Sequence, residues 1–323
     1  MHKKIYYKQV RDLGGIFSAT FGFIKHNFKT LYGSLLFFAG PLLLIAATVS
    51  SVMIGTSLNF GMLRGNGVGL GSIYGDIIIA YLTTMFILMI GITIYNVILN
   101  RNIIENEKLG TEEPLTIKHS TLYFWSDFWR VLGNMLLLGI VMFVTLAIVV
   151  LLFAGIFALL GGGKSGGGMV VIALGVILVI ISMIIFGPIL SFLPMASLFV
   201  CQRDEINIFA ALKKVLFYMK GNFWITWVIT MVGLLMYMVL GSIVQIPVFI
   251  VSLITTFSRA NSTVGYGMAD QSTPILLTVV TAICTLLSYG VMVIYYLTTI
   301  YQFTSLEEKK EGVSIIDKIN QIQ

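Results

Sequence analysis

The residues of this 323-residue chain that most resemble a chemical motif are Gly161-Gly162-Gly163-Lys164-Ser165, which end like a phosphate-binding loop. Such a loop needs a glycine five positions before its Gly-Lys pair, where backbone amides cradle the phosphates, and Ala158 stands there. The stretch reads instead as a hairpin turn between apolar runs, as do the glycine-rich Gly65–Gly71 and Gly265–Gly267. Histidine chemistry within the apolar runs is excluded, because His2, His26 and His119 all lie outside them. No run has an acid or base at its centre, where one would mark a proton relay or an ion path. Cys201 closes one run and Cys284 lies inside another, so plain buried thiols are expected rather than a disulfide or metal framework. No catalytic set, cofactor or metal is expected, and the chain reads as a non-enzyme. The mild polar residues inside the runs, Asn96, Ser191 and Gln245 among them, normally join helices by hydrogen bonding. The alternative is a polar-lined cavity formed by those three, opened where Gly40-Pro41, Gly187-Pro188, Pro194 and Pro247 kink their helices.

The elements that would carry these residues follow from composition. Residues of the AVILMFWYC class make up 58% of the chain, charged residues 11%, and the mean hydropathy is +0.97. A soluble domain carries about 25% charged residues, so this chain excludes a soluble enzyme, a nucleic-acid module and a secreted disulfide scaffold. Six apolar runs, Leu31–Gly55, Ile73–Leu99, Leu132–Leu160, Met169–Val200, Phe223–Thr255 and Pro274–Phe303, each exceed the roughly 20 residues a helix needs to cross the hydrocarbon. They are continuously apolar, without the alternation of barrel strands. The expected fold is all-α: a polytopic membrane protein of six transmembrane helices, one domain over residues 1–323, with an amphipathic cytoplasmic segment at 1–30 and a cytoplasmic tail at 304–323. The fourth run is long enough to predict a break or strong tilt around Gly187–Pro194.

Orientation follows from the basic residues. Of the 20 lysines and arginines, 17 fall before the first run, between the second and third, between the fourth and fifth, or after the sixth. That asymmetry places both termini in the cytoplasm, in the inner membrane of the cell, with no cleavable signal peptide. Trp125, Trp129, Trp224 and Trp227 fall on the same side, where indole rings favour the interface. The net charge of +6 then points to anionic lipid on the cytoplasmic side rather than to nucleic acid.

An internal repeat links these features. At an offset of 195 residues, Leu13–Phe28 (LGGIFSATFGFIKHNF) meets Ile208–Phe223 (IFAALKKVLFYMKGNF), pairing Lys25 with Lys220 and Asn27-Phe28 with Asn222-Phe223. The shared apolar positions Leu13, Phe17, Phe21 and Ile24 step by three and four, as on one helix face. A weaker third copy aligns Asp127-Phe128 with Asn27-Phe28. The predicted unit is an amphipathic cytoplasmic elbow feeding a transmembrane hairpin, used three times. Lys25, Lys29, Lys213, Lys214 and Lys220, with the four tryptophans, are its candidate lipid-interface residues.

The stretch LGGIFSATFGFIKHNFKTLYGSLLFFAGPLLL, echoed at Ile208–Leu234, resembles the opening of a bacterial six-span family related to the membrane domain of some glycerophosphodiester phosphodiesterases. The resemblance implies the topology and no catalysis, since the soluble phosphodiesterase needs a separate barrel rich in Glu, Asp and His. The expected function is that of a scaffold or accessory protein organising membrane lipid or an unidentified protein partner. A permease or channel-like transporter for a lipid or amphiphilic solute is the alternative.

Overall fold

Helix starts are set by residues that can accept a hydrogen bond from the free amides of the first turn. Asp12 does so for the first helix, its Oδ1 accepting from the Gly15 amide at 2.8 Å, and Asn207 does the same for Ala210 at 2.9 Å. The structure, a computed structural model, describes residues 9–50, 70–109, 115–159, 168–262 and 272–312. Regular structure among them is helical throughout, as expected: α1 (Leu13–Phe38), α2 (Gly40–Ser50), α3 (Leu70–Lys108), α4 (Ile117–Ser120), α5 (Phe124–Leu159), α6 (Gly168–Asp204), α7 (Ile208–Met219), α8 (Phe223–Ser262) and α9 (Ser272–Glu311). Four stretches, Ile78–Lys108, Ile184–Asp204, Phe223–Phe257 and Ile275–Glu311, are long and apolar enough to cross a membrane, and α1 with α2, bent by 55°, makes a fifth if the pair is one span. The glycine-rich loops at 65–69, 161–167 and 265–267 lie outside the described residues.

Two units divide the chain. The first comprises Met1–Lys3, Phe21–Phe124 and Leu235–Tyr295; the second comprises Lys4–Thr20, Trp125–Leu234 and Tyr296–Gln323. In the first unit α3 is buried on every side from Tyr95 to Glu105. In the second, α6 from Ala196 to Gln202 and α9 from Tyr296 to Glu308 are buried all round. These stretches carry Asn, Arg, Gln, Thr and Glu among their apolar residues, and most of those polar groups find partners, as buried groups usually do, although the buried Ser197 hydroxyl meets none among the described residues.

Three stretches bear on the expected boundaries. The residues from Thr304 to Glu311 continue α9, and Thr304 to Glu308 are buried. Polarity after Phe303 suggested an exit into water, whereas these polar groups are enclosed by protein. Of the expected break or strong tilt around Gly187–Pro194, the break is absent, since α6 is one helix with Pro188 and Pro194 inside it. A proline frees carbonyls in the preceding turn, and other donors can satisfy them. Here the Trp227 indole donates to the Ile185 carbonyl at 2.8 Å, and the Ser191 hydroxyl to the Pro188 carbonyl at 2.9 Å. In the stretch aligned as the third copy, α4 is a single turn, the chain turns at Tyr123 with φ of +57°, and Asp127 lies inside α5.

Candidate functional site

In the second unit, charged groups meet where α6, α7 and α9 approach. Arg203, the penultimate residue of α6, donates from Nη1 and Nη2 to the two carboxylate oxygens of Glu307 on α9, both at 2.6 Å. Its Nε donates to Asp204 at 2.7 Å. Rings of Phe199 and Phe303 flank the guanidinium at 5.5 and 5.8 Å, a geometry that favours a desolvated cation. Lys214 of α7 completes the cluster, 2.7 Å from Asp204 and 3.1 Å from Glu307. Partial burial alone would lower the Lys214 pKa, but the two carboxylates outweigh it and hold the ammonium above its ordinary value. On the same helix, burial and the hydrogen bond to Glu311 push the Tyr218 phenol up. Gln202 donates to Asp127 at 2.9 Å, and Gln302 to the Thr226 hydroxyl at 3.1 Å.

The first unit holds a smaller counterpart. Arg101 of α3 pairs with Glu105 one turn on at 3.3 Å and lies 5.3 Å from the Tyr123 ring centre. Asn102 donates to Ser34 at 3.4 Å and accepts from Ser120 at 2.7 Å, joining α1, α3 and α4. Neither cluster figured in the sequence reading, although a signal was present. Asn100-Arg101-Asn102, Gln202-Arg203-Asp204 and Gln302 with Glu307 recur about one hundred residues apart, each at or just beyond the end of an even-numbered apolar run.

The first unit also contains a partly open cleft of about 540 Å³ between α1, α2, α3, α8 and α9. Its rim is exposed Phe28, Lys29, Leu36 and Leu287; its floor is buried Leu35, Leu43 and Tyr95. The hydroxyl of Tyr32 donates to the Gly290 carbonyl at 3.0 Å and that of Tyr95 to the Tyr289 carbonyl at 3.1 Å. Those bonds direct both phenols into the backbone of α9 and leave ring carbon along the wall. A Cβ at Gly290 would stand 3.3 Å from the Tyr32 ring, so glycine there lets the ring lie close to α9. Among the described residues, the one charged side chain lining the cleft is Lys29.

The expected cavity residues Asn96, Ser191 and Gln245 each have a partner close by. Asn96 and Gln245 belong to the first unit and Ser191 to the second, and none of the three lines the cleft. Asn96 donates to the Ile92 carbonyl of its own helix at 2.8 Å, and Gln245 to Ser288 at 3.0 Å. Among the interface candidates Lys25, Lys29, Lys213 and Lys220 are exposed, as are Trp125, Trp129 and Trp224. Lys214 and Trp227 differ, being engaged by carboxylates and by the α6 backbone.

The fold and these sites define a multi-pass, membrane-embedded helical protein. Comparison with family profiles, curated proteins and solved structures returned no match to this chain.

Proposed function

We propose that the chain is a non-enzymatic scaffold of the inner membrane, crossing it six times with both termini in the cytoplasm and organising anionic lipid or a partner complex through its elbows. The observation that carries this reading is the use of charge: Arg203, Asp204, Lys214 and Glu307 bond to one another across three helices, an arrangement that fixes helix ends. The exposed Lys25, Lys213 and Lys220 then remain available to lipid phosphates. The resemblance of the opening residues to a membrane domain that also occurs without a hydrolase agrees with it.

The test is extraction of the protein with its surrounding native lipid, followed by analysis of that lipid. Wild type should be enriched in anionic lipid over the bulk membrane, and Lys213→Gln with Lys220→Gln should lose part of the enrichment while remaining inserted. A wild-type complement equal to the bulk membrane would overturn the reading. The cleft favours a second reading, a permease for a lipid or amphiphile. Transbilayer lipid movement in proteoliposomes above the protein-free rate would select it.

A further inference from the structure

We propose that the cleft of the first unit holds one acyl chain of an anionic phospholipid whose phosphate is bound by Lys29. The proposal rests on the membrane-embedded reading above and adds to it a discrete site with a defined occupant.

The volume, about 540 Å³, lies within the roughly 300–1,000 Å³ of small-ligand sites. The lining chemistry selects the occupant. With the Tyr32 and Tyr95 hydroxyls directed into α9 carbonyls, the walls present mainly hydrocarbon and aromatic carbon, Tyr289 adding the third phenol of the lining. A peptide laid there would leave its amides without partners, at a large desolvation cost, whereas an acyl chain has no such groups. Charge is confined to one end. Lys29 lies on α1 a turn before Tyr32 and Gly33, and the Tyr32–Gly290 contact orients α9 against that stretch. Further along, Gly40 lies beside Leu36 and Leu286, and Leu43 lies deeper still on α2. The cleft therefore runs from a single ammonium to a wholly apolar end, the polarity of a phospholipid with its phosphate outermost.

Gly33 provides a clean perturbation. It lines the cleft, and a Cβ built on it meets nothing within 4 Å, so a larger side chain enters the space an acyl chain would take. Replacing a helical glycine also favours the helix. In the test, delipidated full-length protein is titrated with dioleoylphosphatidylglycerol, dioleoylphosphatidylcholine and inorganic phosphate, and bound lipid is counted by native mass spectrometry. Wild type should take up one tight phosphatidylglycerol. Gly33→Leu should bind it at least about tenfold more weakly. Lys29→Gln should lose the preference for phosphatidylglycerol over phosphatidylcholine, and inorganic phosphate should not compete. Wild-type affinity in Gly33→Leu, a retained preference in Lys29→Gln, or competition by phosphate overturns the proposal. Should Gly33→Leu not fold, a phosphatidylglycerol with a photoactivatable acyl chain decides on wild type: adducts on the peptides holding Leu36 and Leu286 support the site, and adducts elsewhere overturn it. The elbow variant Lys213→Gln with Lys220→Gln should keep the tight lipid. Failure at the cleft with enrichment intact therefore removes this site alone, and loss of enrichment in wild type removes the scaffold reading.

Discussion

The two elbow segments, Leu13–Phe28 and Ile208–Phe223, align at an offset of 195 residues, and they end differently. Both begin on a capping side chain, Asp12 and Asn207, which stand at the same offset as Asn27 and Asn222 at their far ends. In α1 the junction is a kink at one residue: Asn27 has φ of −105° and ψ of 16°, its amide donating to the Phe23 carbonyl and to Asn106, and the helix resumes at once. Between α7 and α8 the chain stops and restarts through Gly221, whose φ is +88°. The residue equivalent to Gly221 is His26, which has a Cβ and stays helical. One position thus decides between bending and breaking, because the left-handed backbone is open to glycine and costly to others.

Docking differs as well. The first elbow buries Ile16, Ala19, Thr20 and Phe23; the second buries Ala211, Val215 and Tyr218 at matching positions, but Lys214 replaces Ala19. An apolar contact in one copy has become an ionic one in the other. Removing the carboxylate it depends on should have the largest effect. Glu307→Gln leaves the buried Arg203 short of its main partner, and loss of about 3–5 kcal/mol is expected. Hydrogen exchange should show α7 loosening while Leu13–Thr20 stays protected, and equal loosening of both elbows would abolish the distinction. The double change Arg203→Met with Glu307→Leu should recover most of the loss.

Next in size is the junction itself. Gly221→Ala should cost about 1–2 kcal/mol through its backbone angle, whereas His26→Gly should cost about 1 kcal/mol through helix propensity alone. Denaturant unfolding in detergent of the two variants separates these causes, and a neutral Gly221→Ala would show that the break does not depend on glycine. The smallest effects should come from the caps, where the copies agree. Asp12→Ala and Asn207→Ala should each lose about 1 kcal/mol by the same measurement, and a large inequality would show that the elbows do not start alike.

The helices, α1 and α7 among them, were legible in the sequence because long apolar runs and a three-four spacing of Ile, Leu and Phe require only that one solvent be apolar. The caps Asp12 and Asn207 could have been read too, being preferred cap residues one position before the aligned segments. The enclosed ends of α3, α6 and α9 could not be read from hydropathy. Asn100, Arg101, Gln202, Arg203 and Glu307 look like residues leaving the membrane, and only their partners reveal that protein surrounds them. The cleft was illegible for the opposite reason. Leu35, Leu36, Leu43 and Leu286 are ordinary span residues, and the space between them depends on how helices meet.

The Arg203–Glu307 bond also sets a timetable for synthesis. Its partners stand 104 residues apart, so at about 5–20 residues per second the arginine is added to the chain roughly 5–20 s before its carboxylate exists. During that interval α6 carries a cation destined for the interior with Asp204 as its neighbour in sequence. Water, lipid headgroups or the insertion machinery must hold it until α9 arrives. A stalled chain ending between α8 and Glu307 would therefore present an incomplete charge cluster, a feature that membrane quality control could distinguish from the finished protein.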